Sequence, residues 1–456
     1  MANFSRIADI RRPTHVRFGV LAFICSLSLL TYLDRICIMR AKENMHKDLG
    51  VSNIEMGWIF SAFTLGYALF EVPGGWMGDR WGARRVLTRI VLCWSLFTAL
   101  TGAVWSFSLD LGPMVLNSLT ALLLIRFLFG VGEAGAYPNL TRVVGAWFPF
   151  RARASVQGLI WTCARLGGAF APLVLGRLSA LLGWRQAFWV LGAIGVAWSV
   201  AFWWWFRDTP QEHPACNEAE RDLIGPQSEE KSEIRNPPWR PLVGSLTMWF
   251  MCAAISFTCF GWYFYPTWQP DYLKEAFGIS YEGSELLTGA PFLCGAIGSL
   301  IGGRLSDMLI RRTGNRRWGR SLLGVIGYTA AGLCVLASGF AVSAWQAVAL
   351  LCLAFFFNDL AGPVIWAVCA DIGQPYVGTV SGLMNMCGGF GAILSPILIP
   401  RVLAMLPAAY SGPQRWRIIF AGLAVSYFLA SLAWVFIDAS KPLFGKSEIR
   451  NPKSEK

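Results

Sequence analysis

Long apolar runs alternate with short polar segments along the whole chain. Twelve runs reach about 20 residues, the length that a helix needs to cross a hydrocarbon core of roughly 30 Å. Backbone groups in lipid must satisfy their own hydrogen bonds, so every run is predicted to be helical. The pattern predicts an all-α membrane protein with twelve transmembrane helices, near residues 17–38, 54–75, 86–106, 117–139, 154–176, 186–206, 243–269, 284–306, 321–340, 345–369, 377–400 and 416–437.

Composition supports the membrane class. Of 456 residues, 55% are hydrophobic and 14% charged, and the mean hydropathy is +0.48. The twelve cysteines form no C-x-x-C pair, and the three histidines lie in polar flanks, so neither a disulfide framework nor a metal site is expected. We expect no cofactor, and no cleavable signal peptide because the polar start runs into a spanning segment without a small-residue cleavage site.

The basic residues predict the topology. When alternate loops are assigned to opposite sides, 27 of the 39 Lys and Arg residues fall on the side of both termini and 9 on the other side. By the positive-inside rule, both termini are predicted to be cytoplasmic, in a protein of the cell (inner or plasma) membrane. This distribution also accounts for the net charge of +12 without a nucleic-acid partner.

Two repeats divide the chain. GGWMGDRWGARR (74–85) and GGRLSDMLIRR (302–312) share G-G-x-x-x-D followed by paired arginines, which predicts two six-helix halves built alike. The charged, proline-flanked segment 207–240 is predicted to be a cytoplasmic linker between residues 1–206 and 241–440. KSEIRNP (231–237) recurs at 446–452; we interpret both copies as translated simple-sequence DNA, the second within a disordered cytoplasmic tail at 441–456.

The stretch RFLFGVGEAGAYPN (126–139) places charges inside an apolar run. Its G-x-G-x-x-G spacing lacks the strand and soluble helix of a dinucleotide site, so the glycines are interpreted as contacts for a neighbouring helix. Arg126 and Glu133 are seven residues apart and lie on one helix face.

With Asp34, Arg35 and Arg165, this pair makes five charges that we place near the middle of the membrane in the first half, each opposing insertion by roughly 2.5 to 3.5 kcal/mol. They are expected to face a polar cavity or each other. Three arginines against two carboxylates favour an anionic ligand; the alternative is a set of ion pairs that only fixes helix packing.

Polar residues of the second half leave several alternatives open. Asp359 is expected to be protonated, hydrogen-bonded locally or paired across the cavity, with coupling as its functional role. Tyr263 and its neighbours are expected either to form an interfacial aromatic belt or to hydrogen-bond a hydroxylated substrate. Glu71 lies one turn from the cytoplasmic end of its span and is expected to reach interface water.

At these residues the chain resembles the major facilitator superfamily over nearly its whole length. GGWMGDRWGARR is similar to that superfamily's loop between the second and third helices. TYLDR (31–35), RFLFGVGEAGAYPN and AWFP (146–149) resemble the anion:cation symporter family, which carries hexuronates, galactonate, glucarate and other organic anions. Thr31 and Arg165 depart from that family's pattern, which puts any single named sugar acid in doubt.

The resemblance implies roles for individual residues. It implies proton coupling by Asp34 and Glu133, to which the residue analysis adds Asp359. It implies that Asp79 helps to latch the cytoplasmic gate. From the loop motif and its repeat we also expect Gly75, Arg80, Arg84, Arg85 and Asp307 to take part in gating. The expected substrate site comprises Arg35, Arg126, Arg165, Tyr32, Tyr67, Tyr263, Trp366 and Asn385.

The predicted function is secondary transport, in which a monomer carries a sugar acid or another organic anion inward with protons. The rivals are an anion exchanger, a drug or aromatic-acid carrier of the same fold, and a transporter-like sensor. An enzyme is not expected, because no buried histidine or metal-spaced cluster is present.

Overall fold

A computed structural model describes residues 12–110, 115–225, 237, 239–279, 285–407, 410 and 412–444. The helices of the first half and the linker are α1 Val16–Leu49, α2 Asn53–Trp81, α3 Ala83–Ala103, α4 Ser118–Glu133, α5 Ala136–Trp147, α6 Arg153–Leu182, α7 Trp184–Trp205 and α8 Glu218–Ile224. Those of the second half are α9 Trp239–Gly244, α10 Leu246–Trp262, α11 Phe264–Thr267, α12 Gln269–Phe277, α13 Glu285–Thr313, α14 Arg316–Ser338, α15 Ala344–Ile372, α16 Val377–Met405 and α17 Gly412–Phe436.

The secondary structure adds a small β element to the predicted helices. Strands β1 Ser108–Asp110 and β2 Val115–Asn117 pair antiparallel between α3 and α4, and short 3-10 helices cover Phe150–Ala152 and Pro210–Glu212. Local sequence sets several boundaries. Ser52 and Glu55 form a capping box that starts α2, and Gly82, at a φ of 86°, makes the tight turn from α2 to α3.

The described helices agree with a membrane-spanning bundle. Ten are long and apolar enough to cross a membrane, and the bent pair Phe150–Ala171 and Leu173–Leu182 makes an eleventh span. The other long helix is α2, which has 29 residues. Its mean hydropathy is reduced by Glu71 and by glycines at positions 66, 74, 75 and 78. Counting α2 gives the twelve long helical segments that the apolar pattern predicts.

Helix pairing is alike in the two halves. In the first, α1 packs on α6, α2 on α4, and α3 on α7; in the second, α10 packs on α16, α13 on α15, and α14 on α17. The most extensive contacts between the halves are α2 against α16 and α6 against α13; α5 and α6 also contact α15, and α16 contacts α5. Each half therefore contributes a helix that carries the G-G-x-x-x-D motif, α2 or α13, to one of these contacts.

One end of the bundle, which we call the linker face, holds the start of α1 and the segment after α7. Glu220 is fully buried there and accepts hydrogen bonds from the Thr14 hydroxyl and the Val16 and Arg17 backbone amides. Leu443 donates to the Ile372 carbonyl and so fixes the chain after α17 at the same face. The rest of the predicted linker, 226–236 and 238, and the tail beyond 444 lie outside the described residues.

Two predicted spans are interrupted. The fourth breaks at Ala134–Gly135, where Gly135 has a φ of 83°, and then continues as α5 to Trp147. A Cβ on Gly135 would lie 2.6 Å from the Gly74 backbone, and Gly130 likewise faces the backbone of Phe63 and Tyr67. The interpretation of these glycines as helix contacts is confirmed. The seventh span is divided among α10, α11 and α12.

Candidate functional site

A cavity of about 1880 Å³ lies between the two halves. It reaches the start of α2 and of α13 and the late turns of α6 and α16, at the end of the bundle opposite the linker face; we call that end the open face. Its walls are mainly apolar and aromatic, with a few charged groups, as in ligand sites generally. The wall includes all eight residues of the expected substrate site, and Asp359 as well: Tyr32, Arg35, Tyr67, Arg126, Arg165, Tyr263, Trp366 and Asn385.

Arg35 and Glu133 form the first of two ion pairs in the cavity. The Arg35 Nε donates to Glu133 Oε1 at 2.6 Å, joining α1 to the last residue of α4. The Arg35 guanidinium also lies 4.6 Å from the ring centroid of Tyr67 and 5.6 Å from that of Tyr32. Glu133 Oε2 is buried and has no hydrogen-bond partner among the described residues.

Arg165 and Asp359 form the second pair, across the cavity. Arg165 Nε lies 2.5 Å from Asp359 Oδ2 and Arg165 Nη2 lies 3.0 Å from Asp359 Oδ1, which is the bidentate geometry that arginine favours with carboxylates. Asn358 donates to Asp359 Oδ1 at 2.8 Å, and Arg165 Nη1 donates to the Tyr32 hydroxyl at 3.2 Å. Of the alternatives for Asp359, two are therefore observed together: pairing across the cavity with Arg165 and a local hydrogen bond from Asn358.

Arg126 differs from the other two buried arginines. Only 3% of the residue is exposed, yet within the described chain no carboxylate oxygen lies within 4.0 Å of its guanidinium, whereas Arg35 and Arg165 each have one. Its Nε has no hydrogen-bond partner in the part of the chain that the structure describes, and the guanidinium packs 4.8 Å from the Phe129 ring centroid. Arg126 is therefore a buried cation that lines the cavity with hydrogen-bond donors left to satisfy.

Asp34 lies behind the cavity wall. It is 5% exposed, its Oδ1 has no hydrogen-bond partner among the described residues, and it interacts electrostatically with Glu133 and Arg126. Its neighbour Arg35 faces the cavity instead, as expected for adjacent residues about 100° apart on a helix. Asp34 can therefore act on the arginines through its field while remaining outside the space open to a ligand.

Aromatic rings complete the cavity. Tyr137 and Trp161 stack at 4.8 Å, and Trp161 lies 5.6 Å from Trp366. Tyr263 borders the cavity, and Tyr265 is buried with its hydroxyl 3.4 Å from the Leu351 carbonyl, so neither belongs to an interfacial belt. The sequence analysis missed Trp161, although an indole four residues before Arg165 lies on the same helix face.

Two charge assignments from the sequence are wrong. Glu71 does not reach interface water, because it is fully buried against α16. Arg320, which directly precedes the predicted span 321–340 and is therefore counted among the loop cations, is fully buried between Asp307 and Asp371. With Glu71 and Asp359 counted, three arginines face four carboxylates around the cavity. With every acid ionised the net charge of this set is negative, so the positive excess expected from the sequence arises only when acids are protonated. Arg126 is the arginine of the set that pairs with no described carboxylate.

The motif G-G-x-x-x-D closes the linker face in the same way in both halves. Asp79 accepts hydrogen bonds from the Gly378 and Thr379 backbone amides at 2.8 and 2.6 Å, at the start of α16. A carboxylate at a helix N-terminus satisfies free amides and interacts favourably with the helix dipole. The second glycine of the motif, Gly75, lies against the Gly378 carbonyl, where no side chain would fit.

The repeat forms the equivalent contact at the start of α6. Asp307 accepts from the Ser155 backbone amide and hydroxyl, both at 2.7 Å, and Gly303 lies against the Ala154 carbonyl. Arg320 donates to Asp307 at 2.7 Å. The sequence analysis therefore identified the acids that bridge the halves, but not the helix N-termini that they cap.

The other predicted gate residues lie within the first half. Arg84 donates to the Trp203 carbonyl, and its backbone amide donates to Asp208 at 2.9 Å. Arg80 is exposed beside Trp76, with the guanidinium 5.3 Å from the ring centroid, and Arg85 is exposed. A gating role for these three arginines stays a prediction.

We expect Asp79→Asn to weaken the closed linker face. Hydrogen bonds to a charged group contribute about 1.5 to 3 kcal/mol each, and the neutral amide is a weaker acceptor for the α16 amides. Hydrogen–deuterium exchange of residues 377–384 should become at least about tenfold faster. Asp48→Asn, at the exposed Asp48–Arg185 pair, is the control and should leave this exchange unchanged. Unchanged exchange in Asp79→Asn would show that this cap does not hold the contact.

Comparison with known proteins agrees with this architecture. The Major Facilitator Superfamily model matches residues 24–396 and 251–455. The chain belongs to the major facilitator superfamily. As a superfamily member it is a membrane transporter, not an enzyme, and the cavity between its halves is where such a protein holds its cargo.

Curated superfamily relatives cover most of the chain. It is 35% identical over 393 residues to the probable sulfoacetate transporter SauU of Cupriavidus necator, covering 85% of this chain and 88% of that one. It is 30% identical to the probable galactarate/D-glucarate transporter GudP of Escherichia coli, and the match covers 98% of this chain and 100% of GudP. It is 29% identical to the hexuronate transporter of Bacillus subtilis, and that match covers 96% of this chain and 99% of the relative.

Solved superfamily structures share the fold. The proton:xylose symporter XylE, bound to 6-bromo-6-deoxy-D-glucose, superposes with a TM-score of 0.65 at 16% identity, covering 93% of this chain and 96% of that one. A bacterial homologue of the human lysosomal transporter Spinster, in an inward-facing and unoccupied conformation, gives a TM-score of 0.60 at 19% identity, covering 93% and 99%. At these identities the likeness concerns the fold alone.

Proposed function

We propose that this transporter carries an organic acid anion across the cell membrane together with protons. The observation that supports it best is Arg126, a buried cavity-lining arginine without a carboxylate partner among the described residues. A buried cation is stable only when an anion or a set of acceptors compensates it. An organic anion entering from the open face would supply that compensation.

The proposed substrate carries two acidic groups. Arg126 would hold one, and Arg165, whose guanidinium also lines the cavity, would hold the other once Asp359 releases it. The relatives named for sulfoacetate and for galactarate/D-glucarate support this class, since each of those compounds has two acidic groups. An aldarate is the sugar acid that fits best. Tyr32, Tyr67, Tyr263 and Asn385 would contact its hydroxyl groups.

Proton coupling would follow from the two ion pairs. Glu133 holds Arg35, and Asp359 holds Arg165, so protonation of either acid frees an arginine for the substrate. Protonation of Asp34 would likewise remove a negative charge near Arg126. Protons and anion would then bind together and leave together. Asp34, Glu133 and Asp359 are the residues to which we assign this coupling.

During the transport cycle, the two ends of the cavity would open in turn. The linker face is closed by Asp79 and Asp307, while the cavity reaches the open face. With the termini and linker in the cytoplasm, as the basic residues predict, this conformation faces outward. The halves 1–206 and 241–440 would rock about the site, opening the linker face and closing the other.

Uptake into proteoliposomes tests the proposal. With a pH gradient, acid outside, the protein should accumulate glucarate or sulfoacetate. Galactonate and galacturonate, which have one acidic group, should compete at least about tenfold less well, since one charge-assisted pair is lost. Glu133→Gln should abolish proton-driven accumulation but retain exchange of internal for external substrate.

The control for this experiment is Glu55→Gln, at the open-face start of α2, because glutamine can also complete a capping box. Accumulation by Glu133→Gln under a pH gradient would contradict the coupling. Exchange without any effect of pH in the unmodified protein would identify an anion exchanger instead. Equal competition by the one-acid compounds would refute the preference for two acidic groups.

A further inference from the structure

Glu71 is a buried carboxylate to which the proposed mechanism assigns no role. It lies on α2, one helical turn beyond Tyr67 towards the linker face, and is fully buried. Neither of its oxygens has a hydrogen bond of normal geometry among the described residues, although Tyr67 and Asn385 are its polar neighbours. A carboxylate without full hydrogen bonding in a closed contact calls for an explanation.

The contact that buries Glu71 runs from the cavity to the gate. On the cavity side, Asn385 of α16 donates to the Tyr67 hydroxyl at 3.2 Å. In the middle, a Cβ on Gly382 would lie 2.7 Å from the Glu71 carbonyl oxygen, so the two backbones touch. At the linker face, Asp79 caps α16. We call this contact the α2–α16 seam; Glu71 occupies its centre.

The charged groups around the seam do not compensate an ionised Glu71. Arg35 interacts electrostatically with Glu71, but its guanidinium is bonded to Glu133, a second acid in the same field. Asp79, two turns further along α2, adds another negative charge, which Arg142 of α5 offsets at 3.5 Å. On α16, no charged residue precedes Arg401. The basic residues of α3 are confined to its linker-face end: Arg84, Arg85 and Arg89.

The protonation state of Glu71 is thereby linked to the seam. Burial without a paired cation disfavours the charged carboxylate, so the closed seam favours the protonated, neutral form. Opening the linker face separates α2 from α16 and admits water, in which a carboxyl group ionises. A group that binds a proton more tightly in one conformation stabilises that conformation at low pH, and the stabilisation is lost as the pH rises.

We propose that Glu71 is a proton-binding site of the seam, protonated when the linker face is closed and deprotonated when it opens. The inference rests on the proposed transport cycle, in which that face must open to release the cargo. It adds Glu71 to the acids of the substrate site. Protonation of those acids acts on the cavity arginines, whereas a proton that leaves Glu71 towards the linker face would control the gate.

Hydrogen–deuterium exchange in lipid nanodiscs tests this inference without a substrate. The readout is the protection of residues 377–384, at the start of α16, measured between pH 6 and pH 8 and corrected for the intrinsic exchange rate. In the unmodified protein, protection should fall as the pH rises, by up to about tenfold per pH unit for one linked proton. Glu71→Gln should remove this pH-dependent loss of protection and keep the seam protected at pH 8.

Two further variants make the result specific. Glu71→Asp retains a titrating group and should retain a pH response, and Glu55→Gln, at the other end of α2, should behave as the unmodified protein. A pH response in Glu71→Gln equal to that of the unmodified protein would overturn the inference. So would protection lowered by the same factor at every pH, since that indicates a packing role alone.

The outcome is separable from that of the proposed function. If the unmodified protein shows no proton-driven uptake, the proposed coupling fails. A pH response of the seam that disappears in Glu71→Gln would still assign the proton to Glu71.

Discussion

Replacing Arg126 by alanine should weaken substrate binding about 100-fold, the largest effect that we expect from a single cavity residue. Truncating one partner of a buried, hydrogen-bonded charge pair costs about 2 to 5 kcal/mol, and 100-fold corresponds to about 2.7 kcal/mol. Arg126→Lys should recover only part of the loss, because an ammonium group cannot form the two parallel hydrogen bonds of a guanidinium. Isothermal titration with glucarate and with sulfoacetate measures both effects.

The control for this prediction is Arg401→Ala, an exposed arginine at the end of α16 that does not border the cavity. Its affinity should stay within about twofold of that of the unmodified protein, since exposed charges contribute little. A thermal-unfolding midpoint for each variant identifies loss of folded protein. Folded Arg126→Ala with unchanged affinity for both compounds would exclude Arg126 as the anion-binding group.

Much of the fold and part of the site could be predicted from residue spacing. Twelve apolar runs give the long helices, and seven-residue spacing puts Arg126 and Glu133 on one face of α4, where both are buried. The cost of a charge in lipid also explains why the predicted arginines line the cavity: a guanidinium there must meet polar groups. These features depend only on the spacing of residues within one helix and on the cost of placing a charge in lipid, and both can be read from the sequence.

The pairings could not be predicted in the same way. Arg165 and Asp359 are 194 residues apart, and their contact depends on how two halves close over a cavity. Glu71 was misjudged because its depth was estimated from the distance along the chain to the next loop. In the structure that part of α2 is covered by α16 from the other half. Local periodicity specifies neither contact.

Breaking the Arg165–Asp359 pair should have the largest effect on stability. Asp359→Asn leaves a guanidinium that is 6% exposed without its counter-charge, and loss of one partner of a buried pair costs about 3 to 5 kcal/mol. In Arg165→Gln/Asp359→Asn, two neutral amides of similar shape remain, so much of the loss should be recovered. A double-mutant cycle on unfolding by denaturing detergent should give a coupling energy of at least about 2 kcal/mol.

The exposed Asp48–Arg185 pair provides the matched control for this cycle, because it joins the same residue types with side chains 43% and 29% exposed. Water screens that pair, so its coupling should be about 0.2 to 1 kcal/mol. The comparison isolates the effect of burial. If the two cycles give equal coupling energies, Asp359 does not hold Arg165 in the resting protein, and Arg165 is then available to an anion without a proton on Asp359.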